Sequence, residues 1–128
     1  MKQTNLNQIQ EIHALLNRYF DVLYTQDLNL FDQVFHKNST LYNAQEGNTV
    51  IRSIAEYREV VKNRKSPQDS GSPRNDIVVS IDLLSAEMAL AKVRLRLYDN
   101  IMEDYFNLIK SEGCWKIVAK MWTKLGSA

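Results

Sequence analysis

One cysteine, Cys114, stands among 128 residues. An internal disulfide needs two cysteines and a thiolate zinc site needs more, so both are excluded. The histidines number two, His13 and His36, which leaves any histidine-based metal site dependent on carboxylates. Neither a metal nor a cofactor is expected. A net charge of +1, with Lys and Arg scattered along the chain, creates no field able to gather nucleic acid or anionic lipid. Neither is an expected partner. No run approaches the ~20 apolar residues of a membrane span. Met1-Lys2-Gln3-Thr4-Asn5 leads into an amphipathic stretch and not into an apolar signal core. A cytoplasmic, reducing setting is the expectation. Both prolines, Pro67 and Pro73, fall in one stretch over 65–75, and no repeat or low-complexity linker divides the chain.

What is present is an ordinary soluble balance, 45% hydrophobic and 24% charged. A chain of this length forms a single domain, 1–128, and buries roughly two-thirds of its unfolded surface. Over 6–24, Ile9, Ile12, His13, Leu16, Tyr19, Phe20 and Leu23 recur at spacings of three and four. This predicts a helix with one apolar face, started by a capping pair of Asn5 and Gln8. Asp27 is positioned to cap a short helix over 28–36, with Leu28, Phe31, Val34 and Phe35 inward. Strands are expected at 39–45 and 49–52 around the Glu46-Gly47-Asn48 turn. Ser53-Ile54-Ala55-Glu56 is a capping-box start for a third helix to about Arg64, with Tyr57, Val60 and Val61 facing the core.

After the 65–75 loop, whose composition fits a lid or plain disorder, strands follow one another: 76–84, 88–98, 101–110 and 114–124. Over 88–98, Ala91, Val93, Leu95 and Leu97 alternate with Lys92, Arg94 and Arg96. Helices segregated from antiparallel strands define an α+β fold, three N-terminal helices covering one face of a strongly bent, mostly antiparallel sheet. Such a cone is either a filled core or a pocket with an open mouth.

The last hairpin, "DYFNLIKSEGCWKIVAKMW" (104–122), holds polar residues among apolar ones. A three-residue Ser111-Glu112-Gly113 loop places Asp104 opposite Lys120, either as a cross-strand ion pair that fixes register or as two groups flanking a ligand. A two-residue Glu112-Gly113 turn places Lys120 opposite Tyr105 instead, and a bulge would shift the facing by one. Either Trp115, Ile117, Ala119 and Met121 or Val118, Lys120 and Trp122 then point inward.

This order of elements, with "YFDVLYTQDLNLFDQVFHKNSTLY" and the final hairpin, resembles the nuclear transport factor 2-like superfamily, a cystatin-like cone, and within it the lumazine-binding family of small bacterial proteins. The resemblance covers 9–61 loosely and 88–122 more firmly. It implies a homodimer, made through the open face of the sheet around Arg94, Arg96 and Tyr98. It also implies relatives that are ketosteroid isomerases, polyketide cyclases, dehydratases or non-catalytic binding proteins. Matched to the isomerase pattern, Tyr19 stands at the oxyanion-binding tyrosine, Tyr105 at the second donor and Asn43 at the base. An amide is no useful base, so isomerisation by that mechanism is not expected. Glu103, two residues from Tyr105, is the replacement carboxylate to consider. Cyclases and dehydratases of this fold rely on a His-Asp pair. His13 on the apolar helix face reads more simply as a core or interface residue, and His36 as a cap or surface residue.

Two functions follow. The first is a binding protein for a small apolar or aromatic molecule, its pocket lined by Tyr19, Asn43, Tyr57, Tyr105 and Trp122. The second is an enzyme of isomerase, cyclase or dehydratase type with a non-standard catalytic set drawn from Tyr19, Glu103 and Lys120. A carboxylate inside the cone with a raised pKa favours the enzyme, and a pocket of tyrosine, asparagine and tryptophan alone favours binding.

Overall fold

The apolar stripe of the first helix is the spine of the molecule. The computed structural model describes residues 2–128. Helix α1 runs Lys2–Thr25, so Asn5 lies inside the helix and is not its cap. Ile12, Leu15, Leu16, Tyr19, Val22 and Leu23 are all buried along one side, a broader face than the spacing of the sequence suggests. His13, one step of about 100° round the helix from Ile12, is exposed and does not join the core. Gln26 ends the helix with φ 61, its backbone N–H donating to the Val22 carbonyl at 2.7 Å.

Asp27 caps α2 (Leu28–Val34), its carboxylate accepting from the backbone N–H groups of Asn29 and Leu30. The helix stops at Val34, and Phe35 is already extended, so β1 spans Phe35–Gln45 and His36 is a strand residue. A two-residue turn at Glu46 and Gly47, φ 51 and 81, leads to β2 (Asn48–Ser53). Ser53 then caps α3 (Ile54–Asn63), its hydroxyl accepting from the Glu56 N–H at 3.2 Å. Tyr57 and Val61 are buried, but Val60 is 37% exposed, which removes it from the expected core face.

The remaining strands are β3 (Asp76–Leu83), β4 (Met88–Leu97), β5 (Asn100–Ser111) and β6 (Cys114–Ser127). The sheet order is β2-β1-β6-β5-β4-β3, with β1 parallel to β6 and every other neighbour antiparallel. β4 shows the alternation read from its sequence: Ala89, Ala91, Val93 and Leu95 are buried under the helices, and Arg94 lies on the opposite face. That opposite face also shows Leu90, Tyr105 and Met121, each about half exposed or more.

The 65–75 segment is tied down. Tyr24 donates its hydroxyl to the Ser72 carbonyl at 2.9 Å, and Gln68 N–H donates to the Tyr24 carbonyl at 3.0 Å. Ser66 Oγ accepts from Asp69 N–H at 2.9 Å, and Gly71 takes φ +71 to reverse the chain. Tyr98 donates its hydroxyl to the Lys65 carbonyl. Tyr98 sits with φ 56 in the β4–β5 turn, one residue earlier than the Asp99-Asn100 turn expected, and its ring faces Arg64. It is therefore engaged with this loop and not with the open sheet face.

The last hairpin takes the two-residue turn, with a bulge that shifts the facing by one. Ser111 pairs with Cys114 across a two-residue Glu112-Gly113 turn, and the register shifts between Asn107 and Leu108 because Val118 is an extra residue on β6. Lys120 therefore faces Phe106, and Asp104 faces Trp122. The bulge also divides the inward row. Trp115 and Ile117 are buried before it and Lys120 after it, while Met121 is exposed.

Candidate ligand-binding cavity

The bulge turns a buried ammonium into the cone where periodicity alone would put Ala119 and Met121. Lys120 Nζ donates to the Tyr57 hydroxyl at 3.4 Å and lies 3.9 Å from Asp104 Oδ2. It also stands over three aromatic rings, 4.9 Å from Tyr57, 5.2 Å from Tyr19 and 5.9 Å from Trp122, each within the range of a cation–π contact. Tyr19 donates its hydroxyl to Asp104 Oδ2. Both members of the Asp104–Lys120 pair are buried.

Beside this cluster lies a cavity of about 100 Å³. Leu23, Leu41, Leu95, Leu97, Met102 and Trp122 supply its apolar wall, and Arg52, Tyr57, Arg64, Asp104 and Lys120 its polar groups. Every layer of the fold contributes. α1 brings Leu23, the start of α3 brings Tyr57 and its C-cap brings Arg64, the outer strand β2 brings Arg52, and the core strands bring the rest.

Burial dominates the electrostatics of Asp104 and raises its pKa above the ordinary carboxylate value of 3.8. The Lys120 charge and the Tyr19 hydrogen bond pull it back down without cancelling the effect. Burial, and then the Asp104 charge, push the Tyr19 phenol well above 10.0, so it stays a hydrogen-bond donor. Arg52 stacks over Trp122 with Cζ 5.9 Å from the ring, and Arg64 Cζ is 6.0 Å from the ring of Tyr57.

The expected site residues separate into three groups. Tyr57, Lys120 and Trp122 line the cavity. Tyr19 is fully buried behind it and reaches it through its hydrogen bond to Asp104 and its ring contact with Lys120. Tyr105, Glu103 and Asn43 are elsewhere. Tyr105 is 48% exposed on the open sheet face, because Asp104, its neighbour, takes the inward position. Glu103 pairs with Arg94 at 2.8 Å on that same open side. Asn43 lies beyond Leu41 on β1 and donates its amide to the Trp122 carbonyl at 2.7 Å. The ungapped match of the hairpin thus missed the inward acid by one residue. Arg52 and Arg64 were missed because both resemble solvent-facing charges at element ends. Among the described residues, no group of three or more His, Cys, Asp or Glu side chains is arranged to hold a metal ion.

The family model described as "Putative lumazine-binding" matches residues 7–123. The chain belongs to this family. No curated protein matches the chain. Among solved structures, it is similar to an NTF-2-like protein of unknown function from Silicibacter pomeroyi, with a TM-score of 0.82 and 17% identity over 94% of this chain and 98% of that one. An NTF2-like protein of unknown function from Shewanella baltica gives a TM-score of 0.81 and 21% identity over 93% and 94% of the two chains. A structure titled "Putative Scytalone Dehydratase" from Novosphingobium aromaticivorans gives 0.72 and 13% identity over 100% and 91%. At such identities the similarity establishes the shared nuclear transport factor 2-like, cystatin-like fold. The family membership and the fold point to a ligand-binding domain. Among the described residues, no helix is long and apolar enough to cross a membrane.

Proposed function

We propose that this protein binds a small apolar or aromatic molecule inside the cone and acts as a homodimer. The observation that carries the binding reading is the cavity itself, walled by Leu, Met and Trp side chains with a few convergent polar groups. That composition is typical of small-molecule sites. Its size limits the ligand. About 100 Å³ is well below the roughly 300–1,000 Å³ of sites for drug-sized ligands and is nearer the roughly 150 Å³ apolar cavity that admits benzene. One ring or a short chain fits, and a steroid or a flavin requires the walls to move. A thermal-shift screen of single-ring aromatics, pterins including lumazine, flavins and steroids tests this, with Trp122→Ala run in parallel. A ligand at about a hundred times its dissociation constant adds roughly 2.7 kcal/mol. A shift that survives Trp122→Ala unchanged would put binding outside the cone and count against the reading.

A second reading has its own observation. Asp104 is a cavity carboxyl with a raised pKa, the feature that favours an enzyme over a binder. In its protonated form it is a hydrogen-bond donor of the kind that stabilises a developing oxyanion. No second carboxylate and no histidine line the cavity among the described residues, so a general base is missing from its walls. Turnover of a ligand found in the screen, lost in Asp104→Asn with binding retained, would favour the enzyme.

The homodimer rests on the open sheet face, where Leu90, Tyr105 and Met121 leave apolar surface uncovered between β4, β5 and β6.

A further inference from the structure

We infer that the cavity takes a small organic carboxylate, its anionic end held by Arg64 and Lys120 and its apolar body against Trp122 and Met102; this rests on the ligand-binding reading and names its ligand class. Arg64 carries the argument. It follows the last turn of α3, and its Nε donates to Gln26 Oε1 at 2.9 Å. Gln26 is itself fixed, its Nε2 donating to the Leu23 carbonyl at 2.6 Å. The rings of Tyr57 and Tyr98 each lie 6.0 Å from the guanidinium carbon. The guanidinium is thus held in place, yet its Nη2 is buried with no hydrogen-bond partner among the described residues. A buried donor on a charged group without an acceptor is costly and unusual. This one belongs to a residue that lines the cavity.

Lys120 supplies the second half. Its closest acceptors, at 3.4 and 3.9 Å, are long for a charged donor, whose bonds to oxyanions run about 2.7–2.9 Å. Both cations line the cavity, and both approach the ring of Tyr57, at 6.0 and 4.9 Å from its centre. Among the described residues, Arg52 is the third cation of the cavity and Asp104 its one carboxylate, already engaged by Tyr19. The positive excess asks for an anion. A planar carboxylate matches the geometry of guanidinium N–H groups. The small volume and the Leu, Met and Trp wall ask for a compact apolar body, which a phosphate or sulfate lacks.

The test compares acids with their neutral isosteres. Benzoate and butyrate are titrated into the protein against benzamide and butyramide, followed by NMR of the backbone amides. Both acids are expected to perturb cavity residues saturably and to bind about ten-fold or more tightly than the amides, the scale of one charge-assisted contact. Arg64→Gln, with an otherwise unchanged spectrum, should erase that preference, and Arg64→Lys should restore part of it. Equal binding of acids and amides would overturn the carboxylate assignment while the ligand-binding reading stood. Acid binding that is untouched by Arg64→Gln would overturn it as well. Failure of all four probes would also overturn it, and the screen of neutral and heteroaromatic ligands would then judge the ligand-binding reading separately.

Discussion

Asp104 and Lys120 lie 3.9 Å apart on adjacent strands although neither is the other's register partner, since Asp104 faces Trp122 and Lys120 faces Phe106. The contact is diagonal across the sheet and exists because the Val118 bulge turns Lys120 inward. Two buried charges in one patch of core behave as a unit. Removing one strands the other, at about 3–5 kcal/mol, whereas removing both can be close to neutral. Lys120→Met alone and Asp104→Asn alone should therefore each destabilise the protein, and the double variant should lose clearly less than the sum. Urea denaturation at neutral pH measures all three. Additive losses would mean that the two side chains do not depend on one another.

The pH dependence of that unit has a definite sign. The pKa of Asp104 is raised in the folded protein, chiefly by burial, above its unfolded value. Between those two values the native state holds a proton that the unfolded state has released. Stability then falls with rising pH, since its slope follows the protons bound by the unfolded state minus those bound by the native state. The favourable contribution is complete below the unfolded pKa, near 4, and is lost as pH rises through the folded pKa. This is opposite to the behaviour of a salt-bridged surface carboxylate such as Asp32, whose hydrogen bond to Arg58 lowers its pKa. The stability of the wild-type protein relative to Asp104→Asn should therefore decline as pH rises from about 4 toward neutrality. A relative stability that climbs over that interval would show that Lys120 and Tyr19 outweigh burial.

Much of the fold was legible because period and capping agree along the chain. β4 alternates cleanly, and Asp27 and Ser53 cap the helices expected of them. The site was less legible. A strand's facing depends on every residue before it, so the single extra residue at Val118 reverses everything downstream, and no local pattern announces it. On β5 the isomerase match puts Tyr105 at the inward position that belongs to its neighbour Asp104. Arg64 follows α3 where a basic residue ordinarily faces solvent, and only the tertiary placement of Gln26, Tyr57 and Tyr98 turns it inward. Lys120 and Trp122 were readable as members of one row of β6, but which row of that strand faces inward was not.

Self-association should depend on the open sheet face. Leu90 and Met121 are 48% and 60% exposed there, next to Tyr105, and apolar side chains grouped on one face mark an interaction surface. The double variant Leu90→Lys, Met121→Glu places charges across that surface while leaving the inward row intact. Sedimentation equilibrium should report a dimer for the wild-type protein and a monomer for the variant. A wild-type protein that remains monomeric at all concentrations, or a variant that still dimerises, would remove this face as the interface.

The final hairpin offers a test in which local chemistry acts alone. Glu112 and Gly113 form its two-residue turn with φ 51 and 80, both left-handed. That geometry suits Asn-Gly, because glycine carries no Cβ penalty and asparagine tolerates the left-handed region better than glutamate. No atom lies within 4 Å of where a Cβ on Gly113 would be, so packing does not complicate a substitution there. Gly113→Ala should destabilise the protein by about 1–2 kcal/mol through backbone strain alone. Glu112→Asn should stabilise it by a few tenths to about 1 kcal/mol. The turn is at the tip of the hairpin, and Lys120 and Trp122 lie well along β6 beyond the bulge, so ligand shifts in the cavity should be the same in both variants. Chemical denaturation gives the two signs. A neutral Gly113→Ala would mean that the turn relaxes to another geometry, and the pairing of Lys110 with Trp115 beside it should then weaken in hydrogen exchange.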